Sequence, residues 1–311
     1  MPKYKSALVT GGAGFIGSHI VDALIKRHIK VYVVDDLSTG SKSNVNPNAT
    51  FFKLSVASPD FPNLMRKIKP EVVFHLAAQI DVRNSVADPP ADARVNIMGT
   101  LAIAHTAGVA GVQKIIFTSS GGAMYPDTLK PPYTEKTPED PLSPYAISKK
   151  TAEMYLMFEH RVHGTPVTIL RLANVYGPRQ ALRGEAGVVA LFAKKLLRGE
   201  QTSITGSGKQ TRDFVYVGDV VRAQMLAMEK NVAGIFNVGT GVQTSINHLF
   251  RKMNTITQAH QTEVHVAPCP GEVMRSALDA RKARRELGWE PQMELEEGLK
   301  RTVDWFRKYS K

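Results

Sequence analysis

Three glycines at the junction of an apolar run and an amphipathic segment constrain the fold of this chain most. Gly11, Gly14 and Gly17 follow the strand-like run 7–10, and the helix-like segment 15–28 begins among them. In such a place the first glycine permits a tight turn, the second lets backbone approach a pyrophosphate, and the third lets helix pack on strand. The helix N-terminus then presents free N–H groups to phosphates. The pattern predicts a dinucleotide site at the end of the first strand.

The first half of the chain continues this alternation of strands and helices. Apolar runs separated by helical segments are typical of a parallel sheet covered on both faces. The fold class is therefore predicted as α/β, a Rossmann-like doubly wound parallel sheet. The predicted strands are 7–10, 31–34, 51–54, 72–76, 114–118 and 167–170, and the predicted helices are 15–28, 60–69, 92–108 and 144–163.

The pattern changes after about Asn174, where short strands and helices alternate less regularly between Gly- and Pro-rich joints. We therefore predict a dinucleotide-binding Rossmann domain over residues 1–174 and a smaller C-terminal α/β lobe, mainly for substrate binding, over 175–311. Two later runs, 212–217 and 234–238, are expected to return to the main sheet, so that the two domains interweave.

The formal net charge of +12 raises the question of nucleic-acid binding. The basic residues are spread out, and the densest cluster, at 281–285, lies in a helical pattern without zinc-finger spacing or an aromatic RNA-binding motif. The charge therefore favours attraction of a small anion such as a diphosphate. No apolar run approaches the roughly 20 residues of a membrane span. No secretory signal is recognised and the single Cys269 excludes an internal disulfide, so we expect a cytoplasmic location.

Asp35 ends the second predicted strand. A carboxylate at this position accepts hydrogen bonds from an adenosine ribose and would repel a 2′-phosphate. No arginine lies beside it in the stretch 35–40. We therefore predict that the cofactor is NAD rather than NADP.

Tyr145 and Lys149 stand one helical turn apart on the predicted helix 144–163. A free tyrosine has a pKa near ~10 and is a poor base at neutral pH, but a neighbouring ammonium favours the phenolate. Behind a dinucleotide turn, this pair predicts transfer of a hydroxyl proton beside a nicotinamide ring. Ser120, after the fifth strand, is placed to bond the same substrate oxygen, and Ser119 is an alternative with the same chemistry.

These motifs together resemble the extended short-chain dehydrogenases/reductases, and within them the UDP-glucose 4-epimerases. The resemblance covers nearly the whole chain. It is carried by the glycine spacing, by Tyr145 and Lys149, and by the segments 75–79, 96–100, 171–179 and 212–217. It implies that Lys149 also holds the nicotinamide ribose. The cofactor-binding residues that it implies are Gly11, Gly14, Phe15, Ile16, Gly17, Asp35, Leu37, Ser38, Thr39, Gly40, Ser55, Val56, Leu76, Ala77, Ala78, Gln79, Asn96, Thr118, Tyr145 and Lys149.

The stretch 119–125 contains no carboxylate, although related sugar-nucleotide dehydratases and decarboxylases carry acids there. Elimination of water needs a second acid or base, whereas epimerisation needs one oxidation and its reversal. The resemblance therefore implies interconversion of UDP-glucose and UDP-galactose through a transient 4-keto sugar. Tyr145 would act as the base, with NAD retained.

The resemblance also implies a set of UDP-sugar contacts. Asn174 and Arg212 match diphosphate positions, and Glu272 matches a ribose position. Cys269 stands where a second phosphate-binding arginine often lies, and Arg275 is a candidate to compensate for it. The small Ser276 leaves room for the acetamido group of UDP-GlcNAc or UDP-GalNAc. The full set of implied substrate-binding residues is Ser120, Tyr145, Asn174, Gly187, Val188, Ser203, Thr205, Arg212, Ile246, Glu272, Arg275 and Ser276.

Other functions stay open from the sequence. One is epimerisation of UDP-glucuronate or a UDP-pentose, and another is an oxidoreductase or dehydratase acting on a different sugar nucleotide. A third is an NAD-sensing binding protein without catalysis. The resemblance further implies a homodimer in which the helices near 92–108 and 144–163 form a four-helix bundle.

Overall fold

The computed structural model describes residues 3–181, 187–268 and 273–309. Its strands range from two to seven residues in length. They are β1 (Ser6–Thr10), β2 (Lys30–Asp35), β3 (Thr50–Lys53), β4 (Val72–His75), β5 (Lys114–Ser120), β6 (Val167–Leu172), β7 (Asn174–Tyr176), β8 (Ser203–Thr205), β9 (Thr211–Arg212), β10 (Phe214–Tyr216), β11 (Gly234–Val238), β12 (Thr244–Ser245) and β13 (Val264–Val266).

Seven strands form the central sheet in the order β11-β6-β5-β4-β1-β2-β3. Every neighbouring pair in it is parallel. This is the doubly wound order 3-2-1-4-5-6 with one strand added at the edge. The predicted fold class is confirmed.

The two runs expected to return to this sheet behave differently. Residues 234–238 form β11, which pairs with β6. The prediction for 212–217 is wrong, because β10 pairs instead with β7 in a separate two-stranded parallel sheet. The outer edge of β6 is occupied by β11, and β7 offers a new edge just beyond the end of β6.

Helices lie between these strands, and a π-helical turn, Arg94–Met98, interrupts the segment predicted as one helix over 92–108. In the described ranges, no helix combines the length and the apolar character that crossing a bilayer requires. The α-helices are α1 (Phe15–Lys26), α2 (Phe61–Ile68), α3 (Val82–Ala87), α4 (Pro89–Ala93), α5 (Gly99–Ala110), α6 (Pro144–His163), α7 (Val188–Leu197), α8 (Val217–Glu229), α9 (Ile246–Thr257), α10 (Arg281–Leu287) and α11 (Leu295–Tyr309).

Helices cover both faces of the sheet and bury two apolar cores. On one face α1 and α8 pack against the sheet through residues such as Ile20 and Val220. On the other face α2, α5 and α6 pack against it through residues such as Phe61, Ile103 and Leu156. Helix α6, which carries the predicted catalytic pair, is thereby fixed against β5 and β6 of the sheet.

A third core lies in the smaller lobe, between α7, α9 and α11. Phe192, Phe250 and Phe306 are fully buried there. The short strands β8 and β13 pair beside this core, and β9 pairs with β12. The lobe therefore has an apolar centre of its own.

Candidate active site

A cavity of about 590 Å³ opens at the carboxyl ends of the central strands. This is where ligands bind in open parallel sheets. Most of the predicted cofactor residues line it. They are Gly11, Gly14, Phe15, Ile16, Gly17, Asp35, Ser38, Thr39, Ser55, Val56, Leu76, Ala77, Ala78, Gln79, Thr118, Tyr145 and Lys149.

The glycine turn has the close contacts that its sequence predicts. Gly11 has a left-handed φ of 70°, and a Cβ there would lie 2.8 Å from the main-chain nitrogen of Ala77. A Cβ on Gly17 would lie 2.1 Å from the Gly11 carbonyl oxygen. Gly14 stands at the N-cap of α1 without a side chain to cover the helix end. The turn therefore leaves backbone N–H groups open toward a cavity of dinucleotide size, which fits the predicted cofactor.

Asp35 lies at the end of β2 with 8% of its surface exposed. Its carboxylate accepts hydrogen bonds from the main-chain N–H groups of Ala13, at 3.0 Å, and Leu37, at 2.8 Å. Burial raises the pKa of this carboxyl, and the two main-chain hydrogen bonds oppose that rise. The side chain is thus held rigidly at the cavity wall, where it can accept from a ribose hydroxyl.

Three of the predicted cofactor residues do not line the cavity: Leu37, Gly40 and Asn96. Leu37 serves the site through its main chain, which binds Asp35. A Cβ on Gly40 would lie 2.9 Å from a carboxylate oxygen of Asp35. Asn96 is buried behind the wall, where its amide group binds the main-chain N–H and carbonyl of Gln79, each at 2.9 Å.

Several lining residues were missed by the sequence reasoning. Most of them stand next to predicted residues in the sequence, and this proximity along the chain was the available signal. They are Asp36, Leu54, Ile80, Asp81, Asn84, Val95, Leu172, Ala173 and Val175.

Helix α6 begins where its sequence predicts, since the Ser143 side chain accepts from the Ala146 N–H at 3.2 Å and Pro144 follows at the first turn. Tyr145, in that first turn, lines the cavity and is half-buried. Lys149 follows one turn later on the same wall. The predicted pair is therefore brought to the cavity together.

Lys149 is almost fully buried, with 4% of its surface exposed. Its ammonium donates to the Thr118 carbonyl at 3.0 Å and lies 4.7 Å from the centre of the Phe117 ring. Burial lowers the pKa of Lys149 to about 8, while the charges of Glu153 and Asp92 oppose that change. A cation is thus held one helical turn from the Tyr145 phenol, where it favours the phenolate.

The structure distinguishes the two serines at the end of β5. The Ser119 hydroxyl donates to Glu153 at 2.6 Å in the interior. Glu153 also forms a buried ion pair with Arg171, which in turn binds Glu139. Both serines border the cavity, but Ser119 is almost fully buried and its hydroxyl is taken up by Glu153, whereas Ser120 is partly exposed.

His75 belongs to a hydrogen-bond network that supports the cavity wall at residues 76–77. Thr10 Oγ1 accepts from the N–H groups of Leu76 and Ala77, so its own hydroxyl donates to His75 Nδ1 at 2.8 Å. The Nε2–H then donates to Thr100 Oγ1 at 3.0 Å. Burial lowers the pKa of His75 to about 3, and the Lys149 charge acts in the same direction. The ring is therefore neutral and holds residues 76–77 in place.

The predicted substrate residues Asn174 and Ser276 come together near the loop after β5. A Cβ built on Gly122 would lie 3.9 Å from Asn174 Oδ1 and 4.0 Å from Ser276 Oγ, with nothing nearer. Ser276 is buried, and its main-chain N–H donates to the Thr211 carbonyl at 3.2 Å. Small side chains thus border the space beyond Ser120.

Arg212 lies at the end of the paired strand β9. Its guanidinium donates to the carbonyl oxygens of Thr211, at 2.9 Å, and Val273, at 2.6 Å. Nearby, Asp213 accepts from the Thr240, Gly241 and Leu278 main-chain N–H groups, and Asp219 pairs with Arg222.

The other predicted substrate positions are dispersed along the smaller lobe. Gly187 is the N-cap of α7 and Val188 its first residue. Ser203 and Thr205 end the strand β8. Ile246 is 7% exposed and belongs to the apolar core of the lobe, so its side chain serves packing. Arg275 is exposed, and Cys269 and Glu272 lie outside the described residues.

Comparison with known proteins places this site in context. Residues 7–239 match the family described as NAD dependent epimerase/dehydratase. A UDP-glucose 4-epimerase from Mycolicibacterium smegmatis is 44% identical over 97% of this chain and 99% of its own.

Two solved structures are also similar. The crystal structure of a UDP-glucose 4-epimerase from Thermotoga maritima with UDP-glucose is 49% identical, with a TM-score of 0.95 over 98% of this chain and 100% of that chain. A UDP-N-acetylglucosamine 4-epimerase from Methanobrevibacter ruminantium, in complex with UDP-N-acetylmuramic acid, is 36% identical. Its TM-score is 0.92 over 99% of each chain.

Proposed function

The chain belongs to the NAD dependent epimerase/dehydratase family, and we propose that it is a UDP-hexose 4-epimerase that interconverts UDP-glucose and UDP-galactose. The observation that carries the proposal is the cavity wall formed by Tyr145, Lys149 and Ser120, with no carboxylate in the stretch that follows. This wall provides one base and no second acid.

The glycine turn and Asp35 are the groups that would hold NAD. The turn presents main-chain N–H groups to a pyrophosphate, and the fixed carboxylate of Asp35 accepts from a ribose. NAD, when bound, supplies the acceptor and donor of hydride. The residues present fit this cofactor because the cavity reaches from Asp35 to Lys149 without interruption.

Tyr145 takes the proton from the sugar 4-hydroxyl as that carbon is oxidised, and it returns the proton when the 4-keto sugar is reduced on its other face. Lys149 makes this possible because its buried ammonium stabilises the phenolate. Ser120 donates a hydrogen bond to the same oxygen and thereby orients it. One base used twice is sufficient for epimerisation.

Dehydration is less well supported, because the acids nearest to Ser120 in the chain are engaged elsewhere. Asp127 accepts from the main-chain N–H groups of Met274, at 2.7 Å, and Arg275, at 3.0 Å. Glu135 accepts from the Asn237 main-chain N–H at 2.7 Å, and Glu139 pairs with Arg171 and Lys150. None of these three carboxylates lines the cavity.

The sugar nucleotide would be anchored at its diphosphate by Asn174 and Arg212, since a guanidinium suits phosphate oxygens. The glycosyl group would then turn over beside Ser120. The small Ser276 and Gly122 leave space for an acetamido group, so we extend the proposal to UDP-GlcNAc and UDP-GalNAc. The Methanobrevibacter ruminantium relative, named for an N-acetyl sugar nucleotide, supports this extension.

The direct test is incubation of the purified protein with UDP-galactose, without added NAD, followed by chromatography of the products. Formation of UDP-glucose, lost in Tyr145→Phe, is the expected result. The same assay with UDP-glucuronate and UDP-pentoses tests the alternatives. Absence of turnover on every UDP-hexose would refute the proposal.

We also propose a homodimer through α5 and α6. Helix α6 exposes an apolar stripe of Ile147, Met154, Phe158 and Val162 at intervals of seven and four residues, and Val109 of α5 is 69% exposed. Exposed apolar stripes of this kind mark association surfaces. Light scattering should give twice the chain mass of 34.1 kDa, and a mass of 34.1 kDa would contradict the dimer.

A further inference from the structure

Asp92 is a carboxylate with no exposed surface, on α4 behind the wall of the cavity. One of its oxygens accepts from Gln79 Nε2 at 2.9 Å and from Asn96 Nδ2 at 3.0 Å. The other accepts from Ser148 Oγ at 2.6 Å. A buried carboxylate is costly unless it is fully hydrogen-bonded, so its presence here calls for a function.

The three partners of Asp92 lie on three different elements. Gln79 belongs to the loop after β4 that lines the cavity. Ser148 lies on α6, directly before Lys149. Asn96 lies in the π-helical turn and also binds the main chain of Gln79. A single carboxylate therefore joins the cofactor-facing loop to the catalytic helix.

The π-helical turn explains how the network forms. Asp92, Asn96 and Thr100 follow one another at intervals of four residues. In a regular α-helix, side chains at this spacing shift progressively around the helix axis and leave one face. The wider π-helical turn at Arg94–Met98 offsets this shift. Asn96 then binds Gln79 and Thr100 binds His75, so both side chains brace the same wall.

The charge of Asp92 is also unusual, because its three hydrogen-bond partners are neutral. In the described part of the chain, the titratable groups whose charge couples to Lys149 include Glu153 on α6, His75 on β4 and Asp92 on α4, and Tyr145 lies one helical turn before it. His75 is neutral, and the Glu153 charge is compensated by its ion pair with Arg171. The charges of Glu153 and Asp92 both raise the pKa of Lys149, Glu153 more than Asp92, but Glu153 is ion-paired with Arg171 whereas the hydrogen-bond partners of Asp92 are neutral.

We propose that Asp92 is a positioning residue for the reaction, which fixes the catalytic helix against the cofactor-facing loop and keeps Lys149 protonated at working pH. This inference rests on the proposed function only for its effect on turnover. The effect of Asp92 on protonation of Lys149 does not depend on the reaction and can be measured without substrate.

The substitution Asp92→Asn separates charge from shape. An amide in this place can accept from Gln79 and Asn96 through its oxygen and donate to Ser148 through its nitrogen, so the hydrogen bonds persist while the charge is lost. Ser148→Ala does the reverse, because it keeps the charge and removes one hydrogen bond. Asp219→Asn is the matched control, since Asp219 is also buried but lies on α8 and pairs with Arg222.

The measurement is an NMR pH titration of protein labelled with ¹³C at the lysine ε-carbons, in which Lys149 is assigned by the signal absent from Lys149→Met. We expect a midpoint of about 8 in the unaltered chain. Asp92→Asn should lower it by about one pH unit or more, whereas Asp219→Asn should leave it unchanged. The ratio of kcat/KM at pH 9 to that at pH 7 should fall roughly fivefold in Asp92→Asn for a shift of about one pH unit.

Ser148→Ala should keep the Lys149 midpoint and weaken binding of NAD, measured by calorimetry, because only the link between loop and helix is lost. A midpoint unchanged in Asp92→Asn would overturn the charge role, and unchanged NAD affinity in Ser148→Ala would overturn the positioning role. If neither the unaltered chain nor any variant turned over a UDP-hexose, the proposed function would fail. The lysine titration would still decide the role of Asp92.

Discussion

The Lys149 ammonium donates a hydrogen bond to the main-chain carbonyl of Thr118, 3.0 Å away. This contact joins the catalytic helix to the strand whose last residue is Ser120. Tyr145, one turn before Lys149, is therefore held at a fixed place relative to Ser120. This hydrogen bond acts together with the packing of α6 on the sheet to fix the spacing of base, cation and hydroxyl.

Replacement of Lys149 by methionine should remove activity and leave the fold intact. The phenolate of Tyr145 would lose its neighbouring cation, so kcat should fall about a hundredfold or more. The free energy of unfolding should be unchanged or raised, because a buried charge is replaced by an apolar chain of similar size. Lys300→Met, at an exposed position on α11, is the control and should change neither quantity.

The same lysine gives a pH dependence whose sign can be worked out. Its folded pKa, about 8, lies below the ordinary value of 10.5, so between these pH values the unfolded chain binds more protons than the native one. Stability therefore gains from this group as pH rises through that window, whereas activity falls as the ammonium is lost. Urea titrations from pH 8 to 10.5 should show this gain in the unaltered chain relative to Lys149→Met. Parallel curves would contradict the assignment.

The two serines at the end of β5 should respond in opposite ways. Ser120→Ala removes a donor to the reacting oxygen and should lower kcat about a hundredfold with little effect on stability. Ser119→Ala leaves Glu153 one hydrogen bond short in the interior and should lower the free energy of unfolding by about 1–3 kcal/mol. Steady-state kinetics and urea unfolding of both variants make the comparison. The reverse pattern would assign catalysis to Ser119.

Gly17→Ala should weaken NAD binding about tenfold or more, because the added carbon would lie 2.1 Å from the Gly11 carbonyl oxygen and would open the turn. Gly108→Ala is the matched control on α5, where an added carbon has no neighbour within 4 Å. There the substitution should stabilise the helix by about 1 kcal/mol. Calorimetric titration with NAD measures the first effect, and thermal unfolding measures the second. If Gly17→Ala bound NAD as tightly as the unaltered chain, the turn would not contact the cofactor.

Ser276→Tyr should reduce turnover of UDP-GlcNAc relative to UDP-glucose, because the larger ring would fill the space shared by Gly122 and Asn174. Ser276→Ala keeps that space and should preserve the ratio of the two activities. Competition assays with both substrates give the ratio directly. A ratio unchanged by the tyrosine would refute the role of Ser276 in sugar selection.

Local sequence signals predicted helix α6 to the residue, since Ser143 caps its start, Pro144 opens its first turn and Gly164 ends it with a left-handed φ of 74°. The pairing partners of short strands were harder to predict from the sequence. Residues 214–216 have a strand-like sequence, but their partner is decided by which edges the assembled sheet leaves open. No local pattern encodes that choice.

In the candidate active site, too, locally determined features were predicted and features that depend on tertiary packing were not. The cavity-lining glycines and Asp35 could be predicted because the turn they form is local. Asn96, predicted as a cofactor residue, holds the main chain of Gln79 behind the cavity wall, a contact that no local sequence signal indicates. Asp92 was missed, because a polar residue in a helical pattern reads as exposed. Only packing of α4 against α6 and the loop after β4 buries it.

The central claim is that one sugar carbon is oxidised and reduced within a single turnover. UDP-galactose deuterated at C4 tests it most directly, with the UDP-glucose product analysed by mass spectrometry and NMR. Our account predicts that the deuterium is retained at C4 in the product and that none appears in the solvent. Loss of the deuterium to water, or formation of UDP-glucose with the label at another carbon, would contradict it.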